Sequence, residues 1–368
     1  PSIGLDKATG KLYEGYHISL SDPKRIDDIV EVVKRFEADP NIDFIGVDYI
    51  RTGHLDGFEM ADACVKDMSI DTPADWNKFT DGDKARWFGR MFQHYGGQEF
   101  REKWQWWRAH RVASIVAEIR ERSGAKKPMW CFTLGWEHGK QHGQDPIMMM
   151  DAGVAWDSVM LYEANRQQFA ALLVDWKGYV NNKEASIVVG NSEDASLLDS
   201  EALTPPEEMF RRNMLGVKRV TWGGTADGMF WHCLFRAFHG RTGGYPALHY
   251  VEAGAASFSR FRYEVGRSPL SLEISAPEYV RAGEPFTAQV ILENGSLTDL
   301  REIRVDCVPI PGTRPVGERT VNVAVLKAGE RAAFPVRLLA NAAHRGKAMC
   351  AFRAVVTPAP GDSSVVAA

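Results

Sequence analysis

No run of eighteen or more apolar residues occurs in this chain of 368 residues, so no segment reads as a membrane-spanning helix. Charge of one sign is also lacking. Lys and Arg number 44 against 48 Asp and Glu, a net charge of −4, which leaves no basic footprint for nucleic acid or an anionic membrane surface. Cysteine is sparse: Cys64, Cys131, Cys233, Cys307 and Cys350 are scattered and none forms a C-x-x-C pair, which argues against a structural zinc site or a thioredoxin-type redox motif. Cys307 and Cys350 share the strand-rich C-terminal stretch, where a bridge and a pair of buried free thiols are both open. No G-x-S-x-G elbow is present, which removes the commonest serine-hydrolase reading. Gly223-Gly224 and Gly243-Gly244 follow no phosphate-loop pattern, so nucleotide binding is disfavoured and no cofactor is implied. No basic start followed by an apolar stretch marks a signal peptide. The chain opens on Pro1 rather than Met, and the expectation is a processed product from which a signal or an upstream segment has been removed.

The length suits two domains better than one compact core. Eleven tryptophans are many for it, and they predict either a heavy core or a surface for stacking flat apolar faces such as sugar rings. Glu14–Leu20 is apolar enough for a strand. Ser21-Asp22-Pro23 is a helix start, and Ile26, Ile29, Val30, Val33 and Phe36 follow at helical spacing, so a helix is predicted from Pro23 to about Ala38. Asp39-Pro40-Asn41 breaks it. Phe44–Ile50 then reads as a buried strand with Asp48 near its carboxyl end, where parallel α/β folds collect ligands and catalytic groups.

Residues 52–98 interrupt the rhythm with a long excursion rich in Asp, Gly, Trp, Phe and Met, of the kind that forms binding loops. Glu99 to Arg122 is the clearest helix. Strands are predicted at Pro128–Trp136, Trp156–Tyr162, Ala185–Gly190 and Val217–Trp222, and helices at Pro146–Ala152, Gln167–Tyr179, Pro206–Leu215, about 228–238 and 246–260. The composition changes near Arg267-Ser268-Pro269. From there short β-patterned runs alternate with Gly, Pro and Asn turns, which predicts an immunoglobulin-like β-sandwich over 267–357 and a tail over 358–368.

The stretch DPKRIDDIVEVVKRFEADPNIDFIGVDYIR resembles the middle of the glycosyl-hydrolase-like barrel proteins of bacterial envelopes, as do Trp107-Arg108 with Arg111 and the later MLYEAN. The resemblance covers roughly residues 17–235, though the insertion at 52–98 departs from it. It implies a (β/α)8 (TIM) barrel over 1–266 with an acid at the end of its fourth strand in a carbohydrate cleft. Phe44–Ile50 would then be the fourth strand and Glu14–Leu20 the third, with the first two supplied by a removed upstream segment or a second subunit.

Asp48, Glu137 and Glu163 stand at the carboxyl ends of three successive predicted strands, and in a barrel such ends converge on one mouth. Glycoside hydrolysis needs two carboxylates, one ionised and one held protonated. Asp48 is the expected nucleophile or stabiliser, and Glu137 and Glu163 compete as the acid. Trp136 and His138 flank Glu137 with an apolar wall of the kind that raises a carboxyl pKa. Arg51 is placed to orient Asp48, or to act as a surface ion-pair residue. Tyr49, Trp136, Tyr162, Asn165, Asn191 and Trp222 are the other candidate sugar contacts, each with a core or capping role as the plain alternative. His138-x-x-x-His142 has zinc-like spacing, but Gly139 and Gly143 argue against the continuous helix it needs, so no metal is expected. His54, Asp56 and Glu59 form a polar cluster without ligand spacing. The function expected is an extracytoplasmic glycoside hydrolase with a carbohydrate substrate. The alternative is a non-catalytic carbohydrate-binding or structural subunit.

Overall fold

The computed structural model describes residues 1–6, 8–15, 18–94, 96–162, 165–180, 186–192, 205–219, 226–240, 242, 244–341, 346–357 and 364–368. The chain divides into two compact units, one of Pro1–Leu161, Gln167–Gly190 and Val217–Phe230, the other of Tyr162–Arg166, Asn191–Gly216 and Trp231–Ala368.

The chain opens with an antiparallel pair, β1 (Ile3–Leu5) and β2 (Leu12–Glu14). Helix α1 (Pro23–Ala38) starts where the sequence predicts. The Asp22 carboxylate accepts from the Arg25 N–H at 3.2 Å, Pro23 occupies the first turn, and Ile26, Val30 and Val33 turn inward. Strand β3 (Ile45–Val47) follows. The excursion after it forms α2 (Ala61–Asp67) and α3 (Asp81–Met91) around an aromatic core in which Phe58, Phe88 and Trp104 pack with ring centroids 4.9–5.7 Å apart. The 27-residue helix α4 (Gly97–Ser123) ends at Gly124, whose φ of +66° is a left-handed cap suited to glycine.

The alternation then runs β4 (Met129–Leu134), α5 (Pro146–Asp151), β5 (Trp156–Met160), α6 (Arg166–Tyr179), β6 (Ile187–Ser192), α7 (Pro206–Arg219) and β7 (Gly228–His232). Strands β3 to β7 form one sheet in chain order, with β3/β4, β4/β5 and β5/β6 parallel. One face of β4 sends Met129 and Cys131 into a core shared with Val112, Ile115 and Val116 of α4. The other face carries aromatics: Trp130 lies 4.8 Å from Phe132 and 6.4 Å from Trp156, and Phe132 lies 5.2 Å from Phe230. Gly46 and Gly190 are needed beneath these rings, because a Cβ would sit 2.5 Å from Trp130 and 2.2 Å from Phe230.

The expected (β/α)8 barrel followed by an all-β sandwich is therefore corrected. Among the described residues the sheet has five strands in an open row from β3 to β7, not a closed eight-stranded ring. Glu14–Leu20 is not a third barrel strand. Among the described residues there, the strand is Leu12–Glu14, and it pairs antiparallel with β1. Val217–Arg219, expected to start a strand, continue α7, whereas the strand lies at Gly228–His232, where a helix was expected. A short apolar run carries no period long enough to tell a strand from the buried stripe of a helix.

In the second unit α8 (Leu234–Phe238) and α9 (Ala247–Glu264) precede eight strands, β8 (Leu270–Ser275), β9 (Pro285–Asn294), β10 (Leu300–Val308), β11 (Thr313–Pro315), β12 (Thr320–Leu326), β13 (Arg331–Ala340), β14 (Ala351–Val356) and β15 (Val365–Ala367). In place of the expected sandwich stand two four-stranded antiparallel sheets, ordered β11-β13-β9-β8 and β12-β10-β14-β15. Leu270, Val290, Leu292, Ile303, Val305, Leu338 and Phe352 belong to one apolar cluster drawn from both. Val365–Ala367, read as tail, pairs with β14. All five cysteines are free thiols. No helix among the described residues is long and apolar enough to cross a membrane.

Candidate functional site

The site is built from the segments that leave the carboxyl ends of β3 and β4. Tyr49 turns the chain sharply, with φ of +53°, a conformation uncommon for a residue with a Cβ. After β4 the Trp136–His142 turn bends the same way, with Glu137 at φ +46° and His138 at φ +54°. Left-handed residues concentrate where a functional geometry is held by its surroundings.

What holds both turns is Arg108 of α4, fully buried. Its Nη1 donates to Thr52 Oγ1 at 2.7 Å, Gly53 O at 3.0 Å and Asp56 O at 3.1 Å. Its Nη2 donates to Gln141 O at 3.0 Å and His54 O at 3.4 Å. The guanidinium also lies over the Trp104 ring, 5.2 Å from its centroid. Burial lowers its pKa to about 10, with Asp56, Cys64 and Glu59 acting in the opposite direction. One cation thus ties the segment after β3 to the segment after β4. The Thr52 N–H bond to His142 O at 3.0 Å adds a second tie.

Between these segments and the chain's first residues lies a cleft of about 350 Å3. Its walls carry hydroxyls from Ser2, Tyr13 and Thr52, guanidinium groups from Arg25 and Arg51, and carboxylates from Asp56 and Glu59. Tyr49 and His142 complete the polar surface, beside apolar Ile18 and Leu20. Burial pushes His142 down to about 4, opposed by its contact with Thr52 O at 3.1 Å, so the imidazole is neutral at ordinary pH. Glu59 accepts from the Ile3 N–H at 2.9 Å, and Asp56 from its neighbour Gly57 at 2.7 Å. The Arg51 guanidinium lies 4.5 Å from the Tyr49 ring centroid, and its buried Nη1 has no hydrogen-bond partner among the described residues. A pocket with this density of donors and acceptors suits a polyhydroxylated ligand.

The structure brings Tyr49 and Arg51 together in the cleft, with His142. Asp48 and Glu137 do not line it. Asp48 is exposed, and its Oδ1 accepts from the Tyr49 N–H at 2.7 Å. Among the described residues no ion pair joins it to Arg51. Glu137 is also exposed and accepts a hydrogen bond from the Gln141 side chain. Trp136 beside it is 45% exposed. In the second unit the Tyr162 ring stacks on His232, 5.4 Å between centroids, and Asn165 is exposed. The buried Asn191 amide donates to Asn213 Oδ1 at 2.8 Å. Glu163 and Trp222 lie outside the described residues. His138 pairs with Asp175 at 3.2 Å and stacks on Tyr179, whereas His142 faces Thr52. Among the described residues no cluster of three or more His, Cys, Asp or Glu side chains is placed to hold a metal ion.

Sequence reasoning singled out the polar cluster Asp56 and Glu59 and the histidine His142 but joined neither to Tyr49 and Arg51. It did not find Ser2, Tyr13 and Arg25 as neighbours of that site. The signals for Arg108 were its place in the Trp107-Arg108 pair and a cation among Trp104, Trp107, Val112 and Ile115 on the buried side of a helix.

No protein-family model matches this chain, and no curated protein matches it. Among solved structures it is similar to a FixG-related protein from Vibrio parahaemolyticus, at 14% identity and a TM-score of 0.20, over 27% of this chain and 91% of that one. The Amycolatopsis orientalis BexX/CysO complex is similar at 14% identity and a TM-score of 0.23, over 76% and 99%. A family GH18 chitinase from Chromobacterium violaceum is similar at 9% identity and a TM-score of 0.25, over 99% and 76%. Likenesses this distant carry no argument about what the chain does.

Proposed function

We propose that this protein acts on carbohydrate and cleaves glycosidic bonds at the carboxyl edge of its parallel sheet, with Asp48 and Glu137 as the reacting carboxylates. One observation carries the reading. Two exposed carboxylates follow neighbouring parallel strands, each next in sequence to an exposed aromatic residue, Tyr49 at 60% and Trp136 at 45%. Flat apolar rings beside acids are the combination that sugar rings with scissile acetals require. The cleft of Tyr49, Arg51, Thr52 and His142 supplies the hydrogen bonds that orient hydroxyls. Glu163, following β5, remains a third candidate carboxylate.

Binding without turnover is the second reading, and the exposure of Asp48 and Glu137 and their place outside the lining of the cleft favour it. Asp48→Asn and Glu137→Gln separate the two. Wild-type release of reducing ends from a panel of polysaccharides, abolished in either variant while glycan binding persists, supports hydrolysis. Binding by all three proteins with release by none supports the second reading. Absence of both binding and release across the panel contradicts both.

A further inference from the structure

A cavity of about 840 Å3 in the second unit has no part in that reading. Its size falls within the ~300–1,000 Å3 of sites that hold small molecules. The walls are mostly apolar and come from α7, α9 and the strands, with Phe210, Ile274, Phe286, Met349 and Phe352 among them. Within this surface stands Glu252 of α9, 8% exposed. Among the described residues no hydrogen bond or ion pair holds its carboxylate. Burial pushes its pKa up, opposed by the field of Arg353. An uncompensated acid in such surroundings is unfavourable to the fold, and folds keep buried charges only when something pairs with them.

The nearby cations do not supply that partner. Lys347 is bonded to Glu207, and His249 Nε2 is held by Pro311 O at 2.8 Å. Arg353, whose field reaches Glu252, does not line the cavity and among the described residues makes no ion pair with it. Glu278 adds a further acid to the lining. The charge left over in the cavity is negative and the remaining surface is apolar and aromatic. We propose that this cavity binds a small apolar molecule carrying one protonated amine, with the ammonium paired to Glu252 and the body lying against Phe210, Phe286 and Phe352.

The test titrates the whole protein with octylamine, octanol and octanoate below their aggregation limits, by calorimetry. Octylamine binds at least about tenfold more tightly than the other two, as a charge-assisted pair in an apolar site requires. Glu252→Gln removes that preference and leaves octanol binding unchanged. Cys350 lines the same cavity and gives a second readout on the unaltered protein, since bound octylamine slows its alkylation, followed by mass spectrometry of the Cys350 peptide. Equal affinity for the amine and the carboxylate overturns the proposal. So does unchanged amine binding in Glu252→Gln, or octylamine that neither binds nor protects Cys350. If Glu252→Gln does not fold, Ala256→Phe replaces it, because a ring added at this lining position blocks the amine while Glu252 stays in place.

Discussion

Replacing Arg108 by Met tests whether one buried cation holds the two turns of the candidate site. Met keeps the length and apolar stem of the side chain and removes every donor. Four of the five Arg108 hydrogen bonds are 3.1 Å or shorter, to Thr52 Oγ1 and to the carbonyls of Gly53, Asp56 and Gln141. Each acceptor left unsatisfied costs roughly 1 kcal/mol, about 4 in all, and relief from burying the guanidinium returns about 1. The expected net loss is about 3 kcal/mol, at the upper end for a point substitution. Urea unfolding followed by tryptophan fluorescence reads it directly, since Trp104 lies under the guanidinium. Hydrogen exchange supplies the local signature: the Thr52 amide, bonded to His142 O at 3.0 Å, exchanges faster in the variant than amides of β9 in the second unit. A variant as stable as the wild type, with unchanged Thr52 exchange, refutes the reasoning.

Two buried groups of the first unit give pH slopes of opposite sign. Burial pushes Asp157 up to about 7 from 3.8, so the folded state keeps a proton that the unfolded chain releases, and stability falls as pH rises between those values, by on the order of 4 kcal/mol in full. His142, pushed down to about 4 from 6.5, stays neutral when folded, so its contribution is present above pH 6.5 and is lost as pH falls toward 4. In urea titrations across pH 4–7, Asp157→Asn therefore unmasks a rising slope, and His142→Gln a falling one. Parallel profiles for the two variants contradict the assignment. Gly254→Ala, which by helix propensity alone would stabilise α9 by roughly 1 kcal/mol, instead destabilises by about 1–3, because its Cβ would lie 1.8 Å from the Trp231 ring. A raised thermal midpoint sinks that argument. Asn191→Ala strands Asn213 Oδ1, while Asn213 Nδ2 still donates to Ser257 Oγ at 3.2 Å, and costs about 1–3 kcal/mol in the same assay.

Elements with a cap and a sustained period were legible in the sequence. Asp22-Pro23 followed by Ile26, Val30 and Val33 announced α1, and the apolar face from Trp104 to Ile119 announced α4. Strand β3 was legible as an apolar run between polar flanks. Val217, by contrast, sits buried on an amphipathic helix, where a three-residue apolar pattern reads equally well as strand. Closure of the sheet was not legible, because it depends on how many strands pair in series and not on any local pattern. Tyr49 and Arg51 could be found because they follow a strand directly. His142, Asp56 and Arg108 are held beside that segment by contacts across 33 to 90 positions of chain, which spacing alone cannot reveal.

The central claim is that Asp48 and Glu137 cleave glycosidic bonds. Its most direct test measures the initial rate of reducing-end release on the best polysaccharide of the panel, for the wild type and for Asp48→Asn and Glu137→Gln of unchanged thermal midpoint. The account predicts a wild-type rate that falls by roughly a hundredfold or more in each variant. Release at the wild-type rate by either variant contradicts it.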